Sequence, residues 1–183
     1  MNVYDFDKTI YAGDSTVNFY LYCLRIKPSL IRYLPMQAFY GILFILKIMP
    51  KLKFKTHFFR FLKGINNVDD LVKDFWDHNT NKIYDFYMKQ KDKNDLIISA
   101  SPEFLLKDIC DRLEVQLIGS LVNKNTGKFT GDNCYGKEKV NRYYKIYNEE
   151  INEFYSDSYS DTPLANIAKK AYICDKGKVK EWG

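Results

Sequence analysis

The chain opens Asn2-Val3-Tyr4-Asp5-Phe6-Asp7-Lys8-Thr9, a short apolar run that ends in two carboxylates two residues apart. If a strand ends between them and the chain curls, both can open onto one crevice, one attacking and the other exchanging protons. A carboxylate is a known nucleophile toward phosphoryl groups and yields an aspartyl-phosphate. Its difficulty is charge, because an anion must approach a phosphate dianion. A magnesium ion and a lysine ammonium can compensate as preorganised electrostatics. Magnesium takes hard oxygen ligands, one or two carboxylates completed by waters and substrate phosphate.

The later chain offers candidates for the remaining parts. Asp157 and Asp161, in Tyr-Ser-Asp-Ser-Tyr-Ser-Asp, can bring acidic oxygens beside the first strand. Lys139, in Gly-Lys-Glu-Lys-Val at a helix start, can reach a phosphate, and it is preferred to Lys137. Ser101 and nearby backbone amides can hold phosphate oxygens. Ser101 is preferred to Ser99 because it directly precedes Pro102, where a strand gives way to a helix and amide donors become free.

These residues need elements to position them. Residues 2–7 read as a strand, with Asp14 and Ser15 capping a helix to about Arg25. Short helices interrupted at Pro28, Pro35 and Pro50 continue to about Met88. Residues 95–101 read as a strand, 102–113 as a helix and 115–122 as a second strand, the pattern of a parallel crossover. Asn-Thr-Gly within 123–131 signals a hairpin. The pattern then predicts a helix over 137–150, a strand over 153–156, a helix over 163–170 and a last buried strand over 171–174. The alternation specifies an open, mostly parallel α/β sheet, whose ligands sit beyond the carboxyl ends of the strands. The polar clusters at Asp5 and Asp7, Ser99 and Ser101, and Asp157 to Asp161 each close such a strand.

The order of these motifs resembles the haloacid dehalogenase superfamily of phosphohydrolases, in its phosphoserine-phosphatase-like branch. The likeness rests on Asp-Phe-Asp-Lys-Thr at 5–9, Ile-Ile-Ser-Ala-Ser-Pro-Glu-Phe at 97–104, the Gly-rich stretch with Gly-Lys-Glu-Lys-Val up to 140, and Ser-Asp-Ser-Tyr-Ser-Asp at 156–161. It implies a Rossmann-like α/β core, residues 1–14 and 89–183, with an inserted all-helical cap, residues 15–88. It implies that Asp5 is the nucleophile and that its side chain and the Asp7 backbone carbonyl bind magnesium. Asp7 would protonate the leaving oxygen and then activate water, with Thr9 orienting it. Ser101 would hold the transferring phosphate and Lys139 would neutralise it. Asp157 would ligate magnesium directly, and Asp161 would support it through water. The substrate implied is a small phosphorylated metabolite or a phospholipid headgroup phosphate. The cap is basic and apolar, and so is more similar to branch members that dephosphorylate phosphatidylglycerophosphate than to the small soluble caps of amino-acid phosphatases.

Composition bounds the alternatives. At 183 residues the chain is long enough for one full domain and short for two. Cys23, Cys110, Cys134 and Cys174 lie far apart with no Cys-x-x-Cys pair, and the histidines are His57 and His78 alone. This argues for a reduced, cytoplasmic protein without a zinc site. The first residues lack a signal-peptide pattern. Charge is unevenly placed: between Ser15 and Val68 there is no acid and nine basic residues, against a net charge of +5 for the whole. The rest is therefore net acidic. Within the basic segment, fourteen uncharged residues run from Tyr33 to Leu46, too few for a spanning helix, which needs about 20. The segment reads either as core with a wet lysine face or as a surface for anionic membrane. Nucleic acid is a poor partner, since the basic stretch is apolar rather than punctuated by Gly and Ser. The rival functions are a non-catalytic membrane-surface or phosphate-binding module and a phosphotransferase whose acceptor is not water.

Overall fold

The computed structural model describes residues 1–183 in full. Six strands form one sheet in the order β3-β2-β1-β4-β5-β6. These are β1 (Asn2–Tyr4), β2 (Leu96–Pro102), β3 (Gln116–Ser120), β4 (Ile151–Ser156), β5 (Ala168–Asp175) and β6 (Lys178–Glu181). The first five pair parallel, and β6 returns antiparallel along β5. The fold is thus the Rossmann-like, mostly parallel α/β sheet that the alternation specifies.

Both faces of the sheet are covered, as parallel sheets require. Successive residues alternate between two cores. Val3, Leu96, Ile98, Ile118 and Phe154 face the side of α7 (Lys137–Ile146) and α8 (Thr162–Ala165), while Tyr4, Ile97 and Tyr155 face the other. On that second face, the rings of Tyr4, Tyr155 and Tyr172 stack across three neighbouring strands at 4.6 and 4.8 Å, with Tyr87 edge-on to Tyr4 at 4.9 Å.

The second face is covered by α6 (Glu103–Leu113), which crosses from β2 to β3, and by the helical segment between β1 and β2. That segment holds α1 (Ser15–Ile26), α2 (Leu34–Ile45), α3 (Lys51–Phe58), α4 (Val68–Asp77) and α5 (Asp85–Gln90), joined by short 3-10 turns. Phe19, Phe61, Phe75 and Trp76 of the segment belong to the same buried cluster as Tyr4 and Ile97 of the sheet, so it shares the sheet's core. Trp76 Nε1 also donates to the Leu105 carbonyl at 2.7 Å, tying α4 to α6.

Local chemistry explains the boundaries. The Asp14 carboxylate accepts the Val17 amide at 2.9 Å and starts α1. Pro28 and Pro35 sit in the first turns of their helices, where a missing N–H is harmless, and Pro50 caps α3. α6 ends on Glu114, which adopts the left-handed conformation at φ 58°. Asn123 to Phe129 forms a minimal hairpin, with Val122 bridging Phe129.

The C-terminal third departs from the sequence expectation. The helix at 163–170 is a single turn, Thr162–Ala165, because Ala168, Lys169 and Lys170 extend along β4 as β5. Helix-favouring alanines and lysines are overridden there by strand pairing. β5 is mostly half-exposed rather than buried, with Cys174 as its one buried residue, and β6 was not foreseen. α7 stops at Ile146, short of the expected 150.

Candidate active site

The carboxyl ends of β2, β1 and β4 lie side by side, and the candidate residues emerge there. The Asp5 amide still donates to the Tyr155 carbonyl at 2.8 Å, so Asp5 is held rigidly against β4. A regular strand would carry residues i and i+2 on one face. Here β1 ends at Tyr4 and the chain turns: the Ile10 and Tyr11 amides fold back onto the Phe6 carbonyl, and Lys8 takes φ 58°. Asp5 and Asp7 both line a cleft of about 350 Å³, together with Ser99, Ser101, Lys139, Asp157 and Asp161.

Lys139 is the centre of charge. Its Nζ donates to Asp5 Oδ1 at 2.8 Å and to Asp161 Oδ2 at 2.7 Å, and the residue is 1% exposed. Gly136 caps its helix at φ 57°, ψ −125°, a backbone conformation open essentially to glycine, and this sets the approach of α7. Burial works to lower the Lys139 pKa, but the two carboxylates outweigh it and leave it above its ordinary value. Lys137, two residues earlier, points to solvent as an exposed residue.

Asp7 is held from the other side. Ser101 Oγ donates to Asp7 Oδ2 at 2.5 Å and the Ser15 amide donates to Asp7 Oδ1 at 2.6 Å. Ser15 and Thr16 hydroxyls lie 3.2 and 3.1 Å from Ser101 Oγ. Ser99 Oγ accepts the Ser101 amide at 3.1 Å. Burial raises Asp5 to about 7, opposed by the Lys139 ammonium and helped by the charge of Asp161. Burial raises Asp7 to about 6, with Asp14 adding to the rise and Ser101 and Ser15 opposing it. Asp157, half-buried, is also raised by burial.

A family model for haloacid dehalogenase-like hydrolases matches residues 3–166. The chain belongs to that family. Among solved structures, a Bordetella pertussis Tohama I protein of unknown function superposes with a TM-score of 0.73 at 16% identity, over 93% of this chain and 87% of that one. A phosphoserine phosphohydrolase-like protein from Francisella tularensis superposes with a TM-score of 0.55 at 18% identity, over 93% and 86%. At such identities the likeness is one of fold. A search of curated protein sequences finds no match.

Two expectations carried by the family resemblance meet a different geometry. Thr9 is fully buried and its Oγ1 makes no hydrogen bond, while the hydrogen bonds to the Asp7 carboxylate come from Ser15 and Ser101. Asp161 is bound through Oδ2 to Lys139 and to Ser156 Oγ at 2.9 Å, which makes it first a holder of the lysine. Its Oδ1 is buried without a partner.

That orphaned oxygen bears on whether the donor set suits a divalent cation. Asp5, Asp7, Asp157 and Asp161 line one cleft, and burial raises the first three. All are hard oxygen donors, as magnesium requires. No three acidic, histidine or cysteine side chains converge into a closed cage. Magnesium needs only one or two side-chain carboxylates, because backbone oxygen, water and substrate complete its shell.

The sequence reading missed several cleft residues. Lys55, from α3, donates from Nζ to the Ala100 carbonyl at 2.9 Å and to Asn133 Oδ1 at 2.8 Å, and burial lowers it to about 8. Its signal was its place in the acid-free run. Ser15 was visible only as a helix start, and Asn133 and Ser156 had no signal beyond lying in loops that flank motifs.

Proposed function

We propose that the chain is a magnesium-dependent phosphomonoester phosphatase that works through an aspartyl-phosphate on Asp5. The observation that carries this reading is the cleft in which Asp5, tied by buried Lys139 to Asp161, opens beside Asp7. Asp5 attacks phosphorus, forming the aspartyl O–P bond as the ester P–O bond breaks. Asp7 gives its proton to the departing oxygen, then takes one from the water that cleaves the aspartyl-phosphate. A pKa of about 6 suits a group that must both give and accept a proton near neutrality. Ser101 and Lys139 hold and neutralise the transferring phosphate oxygens. Asp5, Asp157 and the Asp7 carbonyl would hold the magnesium ion, with Asp161 beside them, and the bound ion would supply Lewis-acid stabilisation of the phosphate charge.

The mouth of the cleft supports two substrate classes. Val17, Phe54, Phe58 and Phe59 give it apolar walls, while Lys51 and Lys55 add positive charge. A small phosphorylated metabolite and a phospholipid headgroup phosphate both suit that mixture. Asp5→Asn is expected to abolish hydrolysis of an aryl phosphate while leaving the melting temperature close to that of the parent. Retained turnover in that variant would overturn the mechanism. Chelation should silence the parent enzyme and magnesium should restore it; activity unchanged in excess chelator would remove the metal from the scheme.

A further inference from the structure

Helix α2 is inside out. Its water-facing side carries Pro35, Ala38, Phe39, Ile42 and Ile45, continued by Leu46, with no polar residue among them. Phe39, Ile42, Ile45 and Leu46 are 58, 57, 76 and 61% exposed. The one amide of the helix, Gln37, is instead buried, where it accepts from the Tyr20 hydroxyl at 2.5 Å and donates to the Phe58 carbonyl at 2.9 Å. A surface helix normally shows the opposite arrangement. Ile31 and Ile48, before and after the helix, extend the apolar surface at 62 and 68% exposed. Contiguous apolar surface of this kind marks a contact with something else.

The charge beside the patch says what that is. Arg32 and Lys47, which precede and follow the helix, and Lys53 of α3, which packs on it, are exposed, and no acid occurs between Ser15 and Val68. A second copy of this chain on a two-fold axis would set the same cations against each other. An anionic lipid surface meets both the apolar face and the basic residues beside it. No helix is long and apolar enough to cross a membrane. A twelve-residue helix with this face suits the plane of the interface instead.

We propose that the exposed face of α2, with the basic residues beside it, docks on an anionic bilayer. The cleft lies one helix away. α3 stacks on α2 through Phe44 on Phe54 at 5.0 Å and Tyr40 on His57 at 3.5 Å, and it contributes Lys51, Phe54 and Lys55 to the mouth. Resting on the phosphatase reading, docking makes the substrate a lipid phosphomonoester presented from that bilayer.

Sedimentation of the full chain with phosphatidylcholine vesicles, with and without phosphatidylglycerol, tests the docking. The chain is expected to pellet with the anionic vesicles and to remain in solution with the neutral ones. Each basic residue near the surface is worth about fivefold in partition, so Arg32→Gln with Lys47→Asn should weaken binding roughly thirtyfold. Phe39→Asp with Ile42→Asp should abolish it while leaving aryl phosphate turnover and melting temperature unchanged. Failure of the parent chain to bind, or binding indifferent to the aspartates, overturns the docking. So does self-association in solution that the aspartates break. The Asp5→Asn chain should pellet like the parent, so a chain that binds vesicles but hydrolyses no phosphomonoester refutes the phosphatase reading and leaves the docking surface standing. With docking shown, hydrolysis of a lysophosphatidate in the vesicles that the aspartates abolish supports the lipid substrate. Turnover of soluble esters alone overturns it.

Discussion

Replacing Lys139 by methionine keeps the length of the side chain and removes the ammonium that lies 2.8 Å from Asp5 and 2.7 Å from Asp161. Two carboxylates are then stranded in a site where the lysine is 1% exposed. Breaking a buried ion pair from one side costs about 3–5 kcal/mol, a large part of the roughly 5–15 kcal/mol by which a domain is stable. For a chain of this length that is a fall in melting temperature of roughly 10 °C. The loss must depend on pH. Burial already raises Asp5 to about 7 against the pull of Lys139, and without the ammonium it rises further. A carboxyl whose folded pKa exceeds its unfolded one holds its proton more tightly when folded. Its contribution is present at low pH and lost as pH climbs through the folded value. The deficit of Lys139→Met should therefore be smallest near about pH 5 and grow as pH climbs above about 7, as read from urea unfolding with linear extrapolation. Adding Asp161→Asn neutralises one stranded carboxylate and should recover part of the loss at the higher pH. A deficit of equal size at both pH values would refute the reasoning, because it would assign the loss to packing of the lysine stem rather than to charge.

Ser101→Ala removes the hydroxyl that donates to Asp7 and should cut kcat about a hundredfold, whereas Ser99→Ala, which only loses an acceptor for the Ser101 amide, should cost about tenfold or less in the same aryl phosphate assay. Gly127→Ala should lower stability by about 2 kcal/mol or more in thermal melts, since φ is 72° there and a Cβ would stand 2.2 Å from the Phe59 carbonyl oxygen. Asp95 is raised to about 6 by burial, with the Asp92 amide opposing. The parent chain should therefore lose stability as pH rises from about 4 to 7, and Asp95→Asn, which can still accept that amide, should melt higher than the parent at about pH 8 and level with it near pH 4.

The sequence by itself determined the frame and which polar residues close its strands. Asp5, Asp7, Ser101, Lys139, Asp157 and Asp161 were legible because each falls where an apolar run breaks into polar residues, and such breaks mark strand and helix ends. The β–α alternation followed from the same periodicities. The C-terminal third departs from expectation where local preference and partner disagree: Ala168, Lys169 and Lys170 favour a helix, and pairing with β4 makes them a strand. Tertiary structure alone decided which hydrogen bonds hold the site. Nothing local says that Ser15 rather than Thr9 grips Asp7, or that Lys139 bridges Asp161 to Asp5, since those contacts join residues 8, 22 and 134 positions apart. It also decided which way α2 faces. The sequence of that helix is apolar nearly all round, and its exposed side is defined by burial of Gln37 against Tyr20 and Phe58 and by stacking of Tyr40 and Phe44 on α3. Periodicity fixes which residues share a side of an element, and only packing fixes which side meets water.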